Sequence, residues 1–172
     1  MSGRLLPFRT RRVPPSIYLE TSFISYLAAR PSRDPVTRAR QQITREWWET
    51  YRDRYELYVS PEVVREIRQG DPAAAQARLR YVASLARLQA NRQTSALAAE
   101  ILRTGTLPTK AATDAAHIAI ATVHTMDILL TWDSTHIANA VIQRHLGRLT
   151  GRLGYDLPAI VTPEEIMEVE DA

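Results

Sequence analysis

The sequence predicts an α/β protein of three layers, a central parallel sheet of about five short strands between two layers of helices. Three observations predict it. Short β-prone apolar runs alternate with longer helical runs along the 172 residues, as in a parallel sheet built from crossover units. The run Ile128-Leu129-Leu130 is continuously apolar, as a strand buried on both faces must be. Acidic residues stand at or just beyond the points where strand-like runs give way to helical ones, the side on which open α/β sheets bind ligands.

Residues 1–15 read as a basic, flexible N-terminal arm ended by Pro14-Pro15, and residues 16–172 as one domain. Residues 16–19 form a first strand, with Ser22 as the expected N-cap of a helix through Phe23, Ile24, Tyr26 and Leu27. After a proline-bounded break at 31–35, a helix is expected over 36–54, its apolar stripe made by Ile43, Trp47, Trp48 and Tyr51. Residues 56–59 are a second strand. Ser60-Pro61 is a strong helix start, a capping residue followed by proline, and that helix reaches about residue 69 before Gly70-Asp71-Pro72 stops it. Residues 73–85 are helical, 88–90 a short strand, and 93–103 helical to Gly105. Thr109 is expected to cap a helix to about residue 123, followed by a strand over 127–131. A helix over 134–145 and a basic, glycine-punctuated loop over 147–154 come next. Residues 159–161 are the last strand, and Thr162-Pro163-Glu164-Glu165 opens a terminal helix.

Composition narrows the function. The longest apolar run is far short of a membrane span, and residues 1–15 have arginines but no apolar signal region. Cysteine is absent, which removes disulfides and thiolate metal sites and fits a reducing cytoplasm. The net charge of +3 hides an asymmetry: residues 163–172 hold five acids and no base, which leaves +8 on residues 1–162. Lys110 is the only lysine, so nearly all the positive charge is arginine, whose planar fork suits phosphate. A GC-rich genome also explains the arginine bias, but it explains the positive excess less well. A basic body is what a nucleic-acid binder needs.

Four carboxylates carry the chemistry. Glu20 closes the first strand, where a buried acid is costly unless it faces a cleft; the rival role is to complement the next helix dipole. Glu66 lies among Val63, Val64 and Ile67, one turn beyond Glu62. Glu62 sits in the first turn, where an acid is ordinary helix chemistry, so Glu66 is the stronger candidate. Asp114 is a poor helix former in an alanine-rich helix, and His117, three residues on, reads as a packed or supporting histidine rather than a ligand. Asp133 follows the most clearly marked strand, with a helix cap as its rival role. Unpaired acids repel, so a cluster of them calls for a hard cation. Phosphate-binding glycine loops, dinucleotide fingerprints, nucleophile elbows and paired-histidine zinc motifs are absent from the sequence.

The stretches Tyr18-Leu19-Glu20-Thr21-Ser22, Ser60-Pro61-Glu62-Val63-Val64-Arg65-Glu66-Ile67, Asp114-Ala115-Ala116-His117-Ile118-Ala119 and Leu129-Leu130-Thr131-Trp132-Asp133 together resemble the PIN-domain nucleases. Within them the chain resembles the VapC-like toxins of type II toxin–antitoxin systems. The resemblance covers roughly residues 16–165. It implies a PIN-like α/β/α nuclease domain, with Glu20, Glu66, Asp114 and Asp133 as the catalytic and metal-holding quartet. Thr21 or Ser22, and Thr131, would be the accompanying hydroxyls. It further implies Mg²⁺ or Mn²⁺ as cofactor, RNA as substrate (single-stranded or structured), an antitoxin protein as partner, a homodimer, and a cytoplasmic location. The chain departs from the family pattern at the first acid, which is usually aspartate and here is Glu20. That departure leaves a rival from another class, a catalytically weakened PIN-like module that binds RNA or protein. A phosphotransferase with an aspartyl nucleophile is a third reading, and Glu20 in place of an aspartate argues against it.

Overall fold

The computed structural model describes residues 13–170, so most of the arm expected over 1–15 lies outside the described residues. Five parallel strands form one sheet in the order β3-β2-β1-β4-β5: β1 Ser16–Leu19, β2 Glu56–Val59, β3 Ala86–Arg87, β4 Ile128–Leu130 and β5 Ala159–Val161. Among the described residues eight α-helices surround it: α1 Thr21–Ala28, α2 Pro35–Thr50, α3 Pro61–Ile67, α4 Pro72–Val82, α5 Arg92–Arg103, α6 Ala112–Val123, α7 Ala140–Arg152 and α8 Pro163–Glu170.

The chain builds outward from β1 to β2 and β3, then crosses back to lay β4 and β5 on the other side. Right-handed crossovers in opposite directions put helices on both faces. Accordingly α1 packs on α2 and α4, with α8 against α2, while α5 packs on α6. Ile17, Tyr18 and Leu19 in β1, and Leu129 and Leu130 in β4, have no exposed surface, which is why these strands read as unbroken apolar runs. At the opposite end of the sheet from the acids, Asp127 accepts from Ser16 N (2.8 Å) and Ser16 Oγ (2.7 Å), tying the start of β1 to the start of β4.

Several expected boundaries shift. Glu20, not Ser22, caps α1, its carboxylate accepting from Ser22 N at 3.0 Å. The long helix ends at Thr50, and residues 52–54 tighten into a 3₁₀ turn. The third strand lies at 86–87 rather than 88–90. Thr109 caps nothing: it opens a 3₁₀ turn over Thr109–Ala111, and α6 starts without a side-chain cap. The largest correction concerns residues 134–154. Asp133 Oδ1 accepts from Thr135 N (2.9 Å) and His136 N (3.2 Å), so the segment after β4 turns instead of entering a helix. The helix begins only after Asn139, which accepts from Val141 N and Ile142 N. It then runs straight through the expected loop to Arg152, because buried Leu146, Leu149 and Thr150 keep its packed face intact. Gly154, at a φ of 81°, ends it.

Trp47 is fully buried and meets Phe23 edge-on at 5.4 Å, and Tyr51 is nearly buried, so both rings belong to the core. Trp48 packs edge-on against Tyr81 at 5.6 Å. No helix among the described residues is long and apolar enough to cross a membrane.

Candidate active site

The strand order reverses between β1 and β4, and in an open α/β sheet that reversal leaves a crevice at the strands' carboxyl ends. Glu20 follows β1 directly and Thr131 follows β4 directly, and Glu20 N donates to Leu130 O at 3.1 Å across the gap. The Glu20 carboxylate is buried. Its Oε2 accepts from Ser22 N, from the Ser22 hydroxyl and from Thr131 Oγ1 (2.7 Å). Each hydroxyl has one proton and spends it on Glu20, so their oxygens are free to accept. Thr131 Oγ1 accepts from Asp133 N (3.0 Å), and Ser22 Oγ accepts from Trp132 N (2.8 Å). Two hydroxyls therefore bind the first and fourth acids into one frame. Glu20 Oε1 receives no hydrogen bond among the described residues.

Glu66 comes from α3, which sits at the carboxyl edge against α1, α4 and α6. Ser60 and Pro61 start this helix, so Glu66 falls near its end and turns toward β1. Glu66 Oε2 accepts from Thr21 Oγ1 and from His117 Nε2 (2.7 Å). The other nitrogen of His117 meets Tyr18 Oη at 2.7 Å, and Tyr18 Oη meets Ser60 Oγ at 2.7 Å. Both states of the ring satisfy the chain: with hydrogen on Nε2 alone, Ser60 donates to Tyr18, Tyr18 to His117 and His117 to Glu66, and in the charged ring His117 donates to both Tyr18 and Glu66 while Tyr18 donates to Ser60. A buried polar chain thus holds Glu66 in place from behind. Glu62 lies elsewhere, paired with Arg65.

Asp114 stands in the first turn of α6, and its Oδ2 pairs with His136 Nδ1 at 2.8 Å. Asp133 caps a turn rather than the helix expected after it. Its Oδ1 caps the following turn, while its Oδ2 lies 4.0 Å from the same His136 nitrogen. Metal-competent atoms of Glu20, Glu66 and His117 lie within 4.8 Å of one another, as do those of Asp114, Asp133 and His136. The two groups feel each other. Burial, then the charges of Asp133 and Glu20, hold the Asp114 carboxyl above its usual range, against the pull of His136. Glu66 is held below the usual carboxylate range: burial opposes this, but its bond to His117, the charge of His117 and its bond to Thr21 prevail. Burial disfavours charge on His117, yet its bond to Glu66 and the nearby acids keep its pKa above the ordinary histidine value.

The donors fit a hard cation. Carboxylate oxygens dominate both groups, and like charges raising the Asp114 pKa are what a cation relieves. Both nitrogens of His117 are already engaged, which makes it a support for Glu66. Sequence reasoning missed His136. The signal available was its position three residues after Asp133, a spacing meaningful only once the turn is known. Millimolar Mg²⁺ or Mn²⁺ at ten times its Kd should stabilise the fold by about 1.4 kcal/mol and raise Tm by about 3–6 °C. An unchanged melting curve in differential scanning fluorimetry would count against a cation site.

No protein-family model matches the chain, and no curated protein matches it. Solved structures do. Mycobacterium tuberculosis VapC20, a sarcin-ricin loop cleaving toxin, aligns with a TM-score of 0.57 at 20% identity, over 73% of this chain and 95% of that one. VapBC2 from Rickettsia felis, bound to a DNA fragment from its promoter, aligns with a TM-score of 0.55 at 12% identity, over 85% of this chain and 97% of that one. With its five parallel strands, its strand reversal and its acidic carboxyl edge, the chain has the PIN-like α/β/α fold of the VapC structures.

Proposed function

We propose that the protein is a metal-dependent endoribonuclease that hydrolyses phosphodiester bonds of RNA and acts as the toxin of a toxin–antitoxin pair. The observation that carries this reading is the gathering of Glu20, Glu66, Asp114 and Asp133 at the carboxyl edge of the sheet, with ligand-competent atoms in two tight groups. Glu20, Glu66, Asp114 and Asp133 would hold Mg²⁺ or Mn²⁺. The cation would supply a lowered pKa for attacking water and charge neutralisation at the phosphate. Thr131 and Ser22 fix the Glu20 carboxylate, Thr21 and His117 fix Glu66, and His136 fixes Asp114, so the acids are oriented before substrate arrives. Similarity of fold to a sarcin-ricin loop cleaving toxin and to VapBC2 supports RNA as substrate and an antitoxin as partner. A cytoplasmic location and a homodimer complete the reading.

One observation favours the rival, a weakened binding module: Glu20 caps α1, as a purely structural residue would. Glu20→Asp separates the two. The longer side chain reaches Ser22 and Thr131 together, so shortening it should lower cleavage about 10–100-fold if Glu20 supports the site. Equal cleavage by Glu20, Asp and Gln forms would remove Glu20 from the site. The toxin role is tested in cells. Expression alone should arrest growth of a bacterial host, and co-expression of a cognate inhibitor from the neighbouring reading frame should restore it. A harmless protein with its RNase activity intact would reject the toxin role and keep the nuclease.

A further inference from the structure

Arg144, Arg148 and Arg152 follow one another at four-residue spacing on α7, so they share one exposed face about 6 Å apart along the helix axis. α7 contains no Asp or Glu, and none of the three forms an ion pair among the described residues. On other helices Arg65 is engaged by Glu62, Arg103 by Glu100, and Arg78 by the carbonyls of Ile67 and Gln69, while Arg80 on α4 and Arg92 on α5 are single arginines, unpaired among the described residues, that form no row. Arg152 complements the dipole at the end of α7, but Arg144 and Arg148 lie too early to do so. Like charges one turn apart weaken a helix, and Gly147 and Gly151 weaken it by about 1 kcal/mol each. Both glycines border the arginine row, and a Cβ added to either would meet nothing within 4 Å. A groove of about 440 Å³ runs beside the row, lined by Thr104, Thr106, His145, Arg148 and Arg152. The segment that carries Asp133 and His136 leads directly into α7.

We propose that this face of α7 is a docking track for the sugar–phosphate backbone of RNA, engaging about three phosphates of the strand that leaves the candidate active site. The inference rests on the ribonuclease reading and adds to it a substrate that extends well beyond the scissile bond. Arginine forks match phosphates, and a polyanion relieves the repulsion along the row. The bare glycines let a backbone approach the helix between the guanidinium groups. Such contacts position a strand without reading its sequence, so the track favours length rather than a base motif. Continuity with Asp133 favours RNA over an acidic protein segment, because a phosphate at the carboxylates sets the next phosphates over the turn that leads to α7.

Arg144→Gln, Arg148→Gln and Arg152→Gln combined in the full chain test it, since glutamine keeps helix propensity and leaves the packed face of α7 untouched. Binding is measured in the Asp114→Asn background, with a labelled single-stranded RNA long enough to reach Arg152. The triple variant should bind at least about 10-fold more weakly, and its log K against log salt slope should be shallower by about 2, near 0.7 per lost phosphate contact. With Asp114 restored, the triple variant should cleave that RNA more slowly than wild type while hydrolysing a trinucleotide at the wild-type rate. An unchanged affinity and salt slope, with wild-type cleavage intact, would overturn the track and leave the nuclease standing. A wild-type protein that cleaves neither RNA would instead reject the nuclease reading, and the binding arm would still decide the track. If the substitutions abolish binding of polyglutamate but not of RNA, the face belongs to an acidic protein partner and the proposal fails.

Discussion

Asp114→Asn should reduce RNA cleavage by about 10²–10³-fold, the scale on which removal of one preorganised electrostatic group is felt. It should also shrink the Tm gain from Mg²⁺ or Mn²⁺, because a neutral amide is a poorer ligand for a hard cation. The same substitution should not destabilise the metal-free protein. The Asp114 carboxyl is raised by burial and by the charges of Asp133 and Glu20. A raised carboxyl stabilises the fold below its unfolded pKa, and that contribution is lost as pH rises through the folded value. At neutral pH the ionised group therefore works against the metal-free fold, and removing its charge should hold or raise Tm. Catalytic loss with undiminished metal-free stability is the pattern of a functional acid. A variant that melts well below wild type without metal would mark Asp114 as structural, held by its bond to His136.

His117→Ala should cost about 2–4 kcal/mol of stability and lower cleavage about 10–100-fold. The ring is fully buried between Tyr18 and Glu66, so its removal leaves a cavity, a Tyr18 hydroxyl bonded only to Ser60, and a Glu66 carboxylate held only by Thr21. Tyr18→Phe keeps the ring volume and removes only one link of the chain. It should be milder, about 1–3 kcal/mol, the cost of leaving the Nδ1 of His117 unpaired. Urea unfolding and a cleavage assay on both variants check the order. Equal effects from the two would show that the hydrogen-bonded chain, rather than packing, is what His117 provides, and a silent Tyr18→Phe would show the reverse.

Much of the fold could be read from the sequence because its strands are buried on both faces. Ile17-Tyr18-Leu19 and Ile128-Leu129-Leu130 are unbroken apolar runs, and their burial explains why. Ser60-Pro61 named the start of α3, and the Thr162 and Glu165 pair reciprocates as a capping box at α8, with Thr162 N on Glu165 Oε2 at 2.7 Å. Residues 134–154 depart from the expectation for two reasons that residue types alone do not show. Asp133 spends one oxygen on the turn amides, which delays the helix, and Gly147 and Gly151 resemble loop punctuation until their open face is seen. Among the acids, the choice of Glu66 over Glu62 followed from helix position, and the structure places Glu66 against His117 and Glu62 out beside Arg65. His136 could not be found the same way. Its partner Asp114 is 22 residues distant, and the return of β4 alongside α6 brings them together.

The most direct test of the central claim incubates the purified full chain with RNA in Mn²⁺ or Mg²⁺, and in parallel with EDTA. The acidic edge, read as a cation-dependent hydrolytic site, predicts internal cleavage that appears with the divalent ion, disappears with EDTA, and returns when the ion is added back. Cleavage that persists undiminished in EDTA, or an intact RNA in both ions from a folded protein, would contradict it.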